Sequence, residues 1–203
     1  MIRRLTHRRY EQLKNLGADF IEDYALCYPL EPLVIAAALG VLVTIHSGGL
    51  PARARACNTS DGYTERVQSK RGPRFHIHVN GKVCAVRQRF TLMHELAHIW
   101  LEHLESGGPA STDIGEAEAN FVASYLLAPD ALVLQWVPDL SVAGIAETFG
   151  LSEEAARLTH GRVVRAINLK AHWKPHDQRI LDSATKRLRV DVDDRALDLG
   201  GLA

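Results

Sequence analysis

Arg89-Phe90-Thr91-Leu92-Met93-His94-Glu95-Leu96-Ala97-His98 lies in a run from Val83 to Ser106 that holds neither Gly nor Pro, and it contains the pattern His-Glu-x-x-His. Such a run predicts a helix. Residues four apart share one face of a helix, so His94 and His98 present their imidazoles to the same point and can reach one metal ion together. Glu95, one step round, is badly placed as a further ligand and well placed to touch a water held at that ion. Two neutral imidazoles and a carboxylate, with one position left open, are the donor set of a catalytic rather than a structural zinc. The ion would bring the pKa of its water toward neutrality while Glu95 takes the proton as general base.

The carboxylate has to come from elsewhere. Asp113-Ile-Gly-Glu116-Ala-Glu118-Ala-Asn120-Phe-Val-Ala-Ser-Tyr-Leu-Leu-Ala-Pro129 reads as a second helix, with Asp113 as its N-cap and Pro129 as its stop. Glu116 lies far enough beyond His98 for a helix, a turn and a return. Its competing role is a capping box with Asp113, three residues earlier. The ligand reading takes preference, because the metal needs a carboxylate and Asn120, one turn on, supports the same face as an outer hydrogen-bond partner of a ligand histidine. Glu118 is rotated about 200° from Glu116, so the two cannot both face the metal.

Taken together, Arg87-Gln-Arg-Phe-Thr-Leu-Met-His-Glu-Leu-Ala-His98 and Glu116-Ala-Glu-Ala-Asn-Phe-Val-Ala-Ser-Tyr-Leu-Leu-Ala-Pro129 resemble the ImmA/IrrE-type metallopeptidases. These are gluzincin-like bacterial and phage proteins that cut helix-turn-helix repressors. The resemblance runs over about residues 8 to 170 and weakens at both ends. It implies that His94, His98 and Glu116 hold one Zn²⁺ per chain and that Glu95 is the base. Met93 stands where Ala is common, and Leu127-Ala128-Pro129 where Leu-Met-Pro is common; neither touches a ligand. A metzincin would need Gly and His where this chain has Leu101 and Leu104. His103, roughly 140° round a helix from His98, reads as a solvated histidine or one placed at the C-terminal end of the helix dipole.

The bulk composition is that of a soluble protein. With 203 residues, 46% of them hydrophobic, the chain can bury a proper core. Its 24 basic and 24 acidic side chains balance, leaving no electrostatic footprint for nucleic acid or an anionic membrane. Cys27, Cys57 and Cys84 are odd in number and lack C-x-x-C spacing, which points to reduced core thiols in a cytoplasmic setting. The basic N-terminus has no apolar segment behind it, and Leu33 to Ile45 is too short to span a bilayer.

Outward from the motif, Tyr10, Leu13, Leu16 or Gly17, Phe20, Ile21 and Tyr24 form a helical stripe between Arg8 and Leu26. Pro29 and Pro32 break the chain, a short helix follows from Glu31 to Leu39, and Val41 to His46 reads as a strand. Between Ser47 and Gly81, Tyr63–Val67 and Phe75–Val79 are the best strand candidates. Phe75, Ile77 and Val79 alternate with His76 and His78. The imidazole pair reads as a second metal site, a polar face near the substrate or, as the preferred reading, a solvent-facing pair. By the same resemblance, one strand would flank the cleft and pair with an extended substrate.

Beyond Pro129, Ser141 to Leu158 has helix-turn-helix spacing, with Gly150 in the turn and Ser152 as a cap. Its second helix opens on Glu153 and Glu154, which would face phosphates unfavourably, so substrate or core docking is preferred over direct nucleic-acid binding. Arg162 to Lys170 could continue that helix. His160, His172 and Tyr125 are open candidates for an oxyanion partner.

These readings converge on an α+β, zincin-like fold: a mostly helical core with a small antiparallel or mixed sheet. Residues 1–130 would form the metallopeptidase domain, 131–172 a C-terminal helix-turn-helix-like unit packed on it, and 173–203 a charged, mobile tail. The expected activity is zinc-dependent cleavage of a protein, by resemblance a helix-turn-helix repressor, which relieves repression. The competing classes are a DNA-binding regulator with a structural metal and a repressor-capturing protein that does not cut.

Overall fold

The computed structural model describes residues 5–51, 61–69, 72–104, 113–169 and 173–184. Helix α1 (His7–Asp23) starts on Thr6, whose hydroxyl accepts from the Arg9 amide at 3.2 Å. It buries Leu13, Gly17, Ala18, Phe20 and Ile21, while Leu16 and Tyr24 face out, so Gly17 completes the stripe. Helix α2 (Pro32–Ala38) opens on a proline, whose missing N–H is no loss in a first turn. Gly40, at φ +67°, turns the chain into strand β1 (Leu42–His46).

Strands β2 (Gly62–Ser69) and β3 (Gly72–Asn80) complete a three-stranded sheet ordered β1-β3-β2. β1 runs parallel to β3 and β2 antiparallel to it, so the sheet is mixed. Its inner face, with Ile77 and Val79 buried, packs on helix α3 (Ala85–Trp100). The approach is closest at Gly62, where a Cβ would stand 2.5 Å from Thr91 Cγ2 and 2.9 Å from the His78 carbonyl oxygen. Neither neighbour can swing away, since one is a stiff β-branched side chain and the other is backbone. Gly62→Ala is therefore expected to lower unfolding free energy by about 2 kcal/mol, read by urea denaturation.

Helix α4 (Asp113–Leu127) packs against α3. Pro129 reads as a stop, yet the chain turns directly from it into α5 (Asp130–Trp136), because a proline that ends one helix can also stand at the start of the next. Helices α6 (Val142–Phe149) and α7 (Glu153–Asn168) follow as a pair. Ser141 and Ser152 cap them, and Gly150 at φ +60° makes the turn between. Ile145, Phe149, Ala156 and Val163 belong to the same core as α1, α3 and α4. Arg89 of α3 fastens the turn by donating to the carbonyls of Phe149 (2.6 Å) and Gly150 (3.0 Å), and it also reaches Leu30 O at 2.7 Å.

A buried ion cluster ties the far side together. Asp130 accepts from Lys14 of α1 at 2.8 Å and from Arg162 of α7 at 2.6 Å, and Arg162 also reaches Ser124 Oγ and Ala128 O. Both cations lie near the ring of buried Tyr125, Lys14 Nζ at 5.5 Å and Arg162 Cζ at 5.9 Å from its centroid, so this oxyanion candidate sits in the core on the far side.

Two expectations change. Cys84 is exposed and Cys27 only half-buried, because each sits at an element boundary rather than on a core stripe; Cys57 lies outside the described residues. Within the stretch expected to be a mobile tail, residues 175–184 are helical, bury Ile180 and Ala184, and pair Arg179 with Asp19 and Glu22 of α1. Residues 185–203 lie outside the described part. Among the described residues, no helix is long and apolar enough to cross a membrane.

Candidate metal centre

The α3–α4 packing brings His94, His98 and Glu116 to one point. Their Nε2 atoms stand 3.0 Å apart, and the Glu116 carboxylate lies 3.3 Å from His94 Nε2 and 3.4 Å from His98 Nε2. Glu116 is partly open to solvent while His98 is buried, so the cluster meets solvent on its carboxylate side. Asn120 is exposed and close enough to His94 to favour the protonated ring, without closing a hydrogen bond to its buried Nδ1. Burial alone would lower the His94 imidazole, but Glu116, then Glu95 and Asn120, outweigh it and raise it above its ordinary value.

Behind His98 runs a chain of polar contacts. Arg9 donates twice to Glu118, at 2.7 and 3.0 Å, and holds its carboxyl below the usual range. Glu118 Oε2 lies 3.2 Å from His103 Nε2, and His103 Nδ1 lies 3.0 Å from His98 Nδ1. Burial pushes His103 below its ordinary value, so its ring is neutral at neutral pH. A carboxylate only accepts, so His103 carries its proton on Nε2 and accepts from His98 Nδ1–H. The His98 Nε2 lone pair is then left facing His94 and the Glu116 carboxylate. Two imidazoles and a carboxylate converging with a lone pair exposed is an arrangement that a cation would complete, and the residues therefore fit a zinc-type ion.

Of the two readings of His103, the solvated one does not hold; it lies just past the C-terminal end of α3, where its ring faces His98 and Glu118. α3 ends at Trp100; Glu102 at φ +60° reverses the chain, and the His103 amide bonds back to His98 O at 3.0 Å. Past that turn the helical wheel no longer applies. Removing the imidazole in His103→Ala is expected to weaken metal binding at this centre about 10- to 100-fold, measured by competition with a chromophoric chelator.

Glu95 stands outside the ligand cluster, near enough for its charge to raise the His94 imidazole, and one of its oxygens meets the sheet. Only 8% exposed, it accepts a 2.7 Å hydrogen bond from the Thr64 hydroxyl of β2. Nothing in the sequence marks Thr64, whose partner lies across a chain reversal. A cavity of about 790 Å³ lies between α3, α4 and α7, with Phe90, Thr91, Asn120, Phe121, Ala155 and Leu158 among its walls; Phe90 and Asn120 each stand one helical turn from a ligand residue, and none of the three ligand residues lines it.

On the other face of the sheet, His76 and His78 are not the solvent-facing pair expected. His78 is 2% exposed, stacked against Tyr63 with ring centroids 4.7 Å apart. Strand alternation sets which face these rings take, but their cover comes from β1 and β2, which only the pairing register reveals.

A family model described as Peptidase_M78, IrrE N-terminal-like domain, matches residues 36–159, which run from the end of α2 into the first turns of α7 and include His94, Glu95, His98 and Glu116. No curated protein matches the chain.

Proposed function

The chain belongs to the IrrE N-terminal-like metallopeptidase family, and from that premise we propose that it is a zinc-dependent endopeptidase whose substrate is a helix-turn-helix transcriptional repressor, cut to relieve repression. His94, His98 and Glu116 are the ligands of the catalytic ion, Glu95 is the general base, and Asn120 steadies the His94 side. The convergence of His94 Nε2, His98 Nε2 and the Glu116 carboxylate on one point, with the chain from Arg9 through Glu118 and His103 holding His98 from behind, is the observation that supports this reading most.

Bound zinc would supply Lewis-acid polarisation of the scissile carbonyl and a more acidic water. The remaining work falls to the chain. Thr64 occupies one oxygen of Glu95 and so orients the carboxylate, leaving the other oxygen to accept the proton of the attacking water and return it to the departing amide nitrogen. β2, with β3 as its one strand neighbour among the described residues, offers a main-chain edge for an extended substrate. The neighbouring cavity takes an apolar side chain. α7 opens on exposed Glu153 and Glu154, which disfavours duplex DNA as its ligand.

The test pairs elemental analysis with cleavage. Glu116→Ala is expected to lose one equivalent of zinc relative to wild type and to leave a helix-turn-helix repressor uncut, as read by mass spectrometry of the products. Unchanged metal content in a folded Glu116→Ala protein would overturn the ligand assignment.

A further inference from the structure

The outer face of the sheet holds a second cluster of ligand-type side chains that the peptidase reading leaves unused. His76 and His78 alternate along β3, and the register sets Glu65 opposite His76 and Tyr63 opposite His78. One ligand atom each from Glu65, His76 and His78 falls within 4.8 Å of the others, the same closeness as His94, His98 and Glu116 show. His78 Nε2 lies 2.9 Å from Glu65 Oε1, and the His76 and His78 ring centroids are 4.0 Å apart.

Each histidine also has a partner holding its orientation. His78 Nδ1 lies 2.9 Å from His46 Nε2 on β1, and His76 Nε2 lies 2.9 Å from Thr44 Oγ1 on the same strand. Three imidazoles and a carboxylate thus gather on one small sheet face, with His78 buried and His46, Glu65 and His76 half-buried around it. Metal-binding histidines characteristically give their second nitrogen to an outer partner. Two imidazoles two residues apart on a strand, with a carboxylate on the neighbouring strand, point to one spot as a consequence of the pleat.

We propose that Glu65, His76 and His78 form a second divalent transition-metal site, of the zinc type, with His46 as the outer partner of His78. The donor set of two nitrogens and one oxygen suits zinc rather than calcium or magnesium, which take oxygen ligands. Glu65 and Thr64 are consecutive on β2, so an ion on the outer face would stiffen the strand whose inner face orients Glu95.

The test uses the full chain with Zn²⁺ as the probe. In His94→Ala/Glu116→Ala protein, which lacks two ligands of the first centre, competition with a chromophoric chelator should still find one equivalent of bound zinc. Adding Glu65→Gln and His76→Ala should abolish it, and His46→Ala alone should weaken it about tenfold. If the double variant does not fold, wild type gives the answer: two equivalents are expected, falling to one in Glu65→Gln. One equivalent in wild type that persists in Glu65→Gln, or no zinc in the folded double variant, would overturn the proposal and leave a metal-free hydrogen-bonded cluster.

Discussion

Replacing Glu95 with Gln is expected to cut the rate of substrate cleavage by about 10²- to 10⁴-fold, the usual contribution of a positioned general base. Zinc content should not change, because Glu95 is held by Thr64 and is not one of the ligand residues His94, His98 and Glu116. The amide keeps the shape and can still meet the Thr64 hydroxyl, but it cannot accept the proton of the attacking water. Single-turnover cleavage beside elemental analysis of the same preparations reads both quantities. Full activity in the variant would remove Glu95 from the mechanism. Unchanged biological effect in a variant that no longer cuts would instead favour a protein that captures its repressor without cleaving it.

Asp130→Ala is expected to destabilise the fold by about 3–5 kcal/mol, because it strips the shared counter-charge from Lys14 and Arg162 in a largely desolvated cluster. Chemical denaturation of the apo forms measures it without interference from metal linkage. The same residue fixes a pH dependence. Burial would raise the Asp130 carboxyl, but Arg162 and Lys14 outweigh it, so in the folded chain it titrates below its ordinary 3.8. With the folded value depressed, the stabilisation is fully present above the unfolded pKa and is lost as pH falls through the folded one. Wild type should therefore lose stability in acid, below about pH 4, more steeply than Asp130→Ala. Parallel acid profiles for the two proteins would contradict this assignment.

Local periodicity made much of the molecule readable. Four-residue spacing in a run free of Gly and Pro puts His94 and His98 on one face, and the next amphipathic segment supplies Glu116 and Asn120 one turn apart, because a helix repeats within a few residues whatever surrounds it. Gly150 and Ser152 likewise marked the turn between α6 and α7, since a left-handed position and an N-cap are local demands. Composition and alternation gave β1 and β3 their places, and the faces of β3 as well. None of these depends on where another segment lies.

Tertiary structure decided the partners. Thr64 meets Glu95 across the β2–β3 reversal, His103 meets His98 because the chain leaves the helix at Glu102, and Arg9 reaches Glu118 from the other end of the domain. His78 is buried rather than solvent-facing because β1 and β2 flank β3, and α5 begins at once after a proline that reads as a stop. Each of these contacts requires a chain reversal or a sheet register. Those are set by the packing of the whole core, and no periodicity along the chain encodes which distant residues will meet.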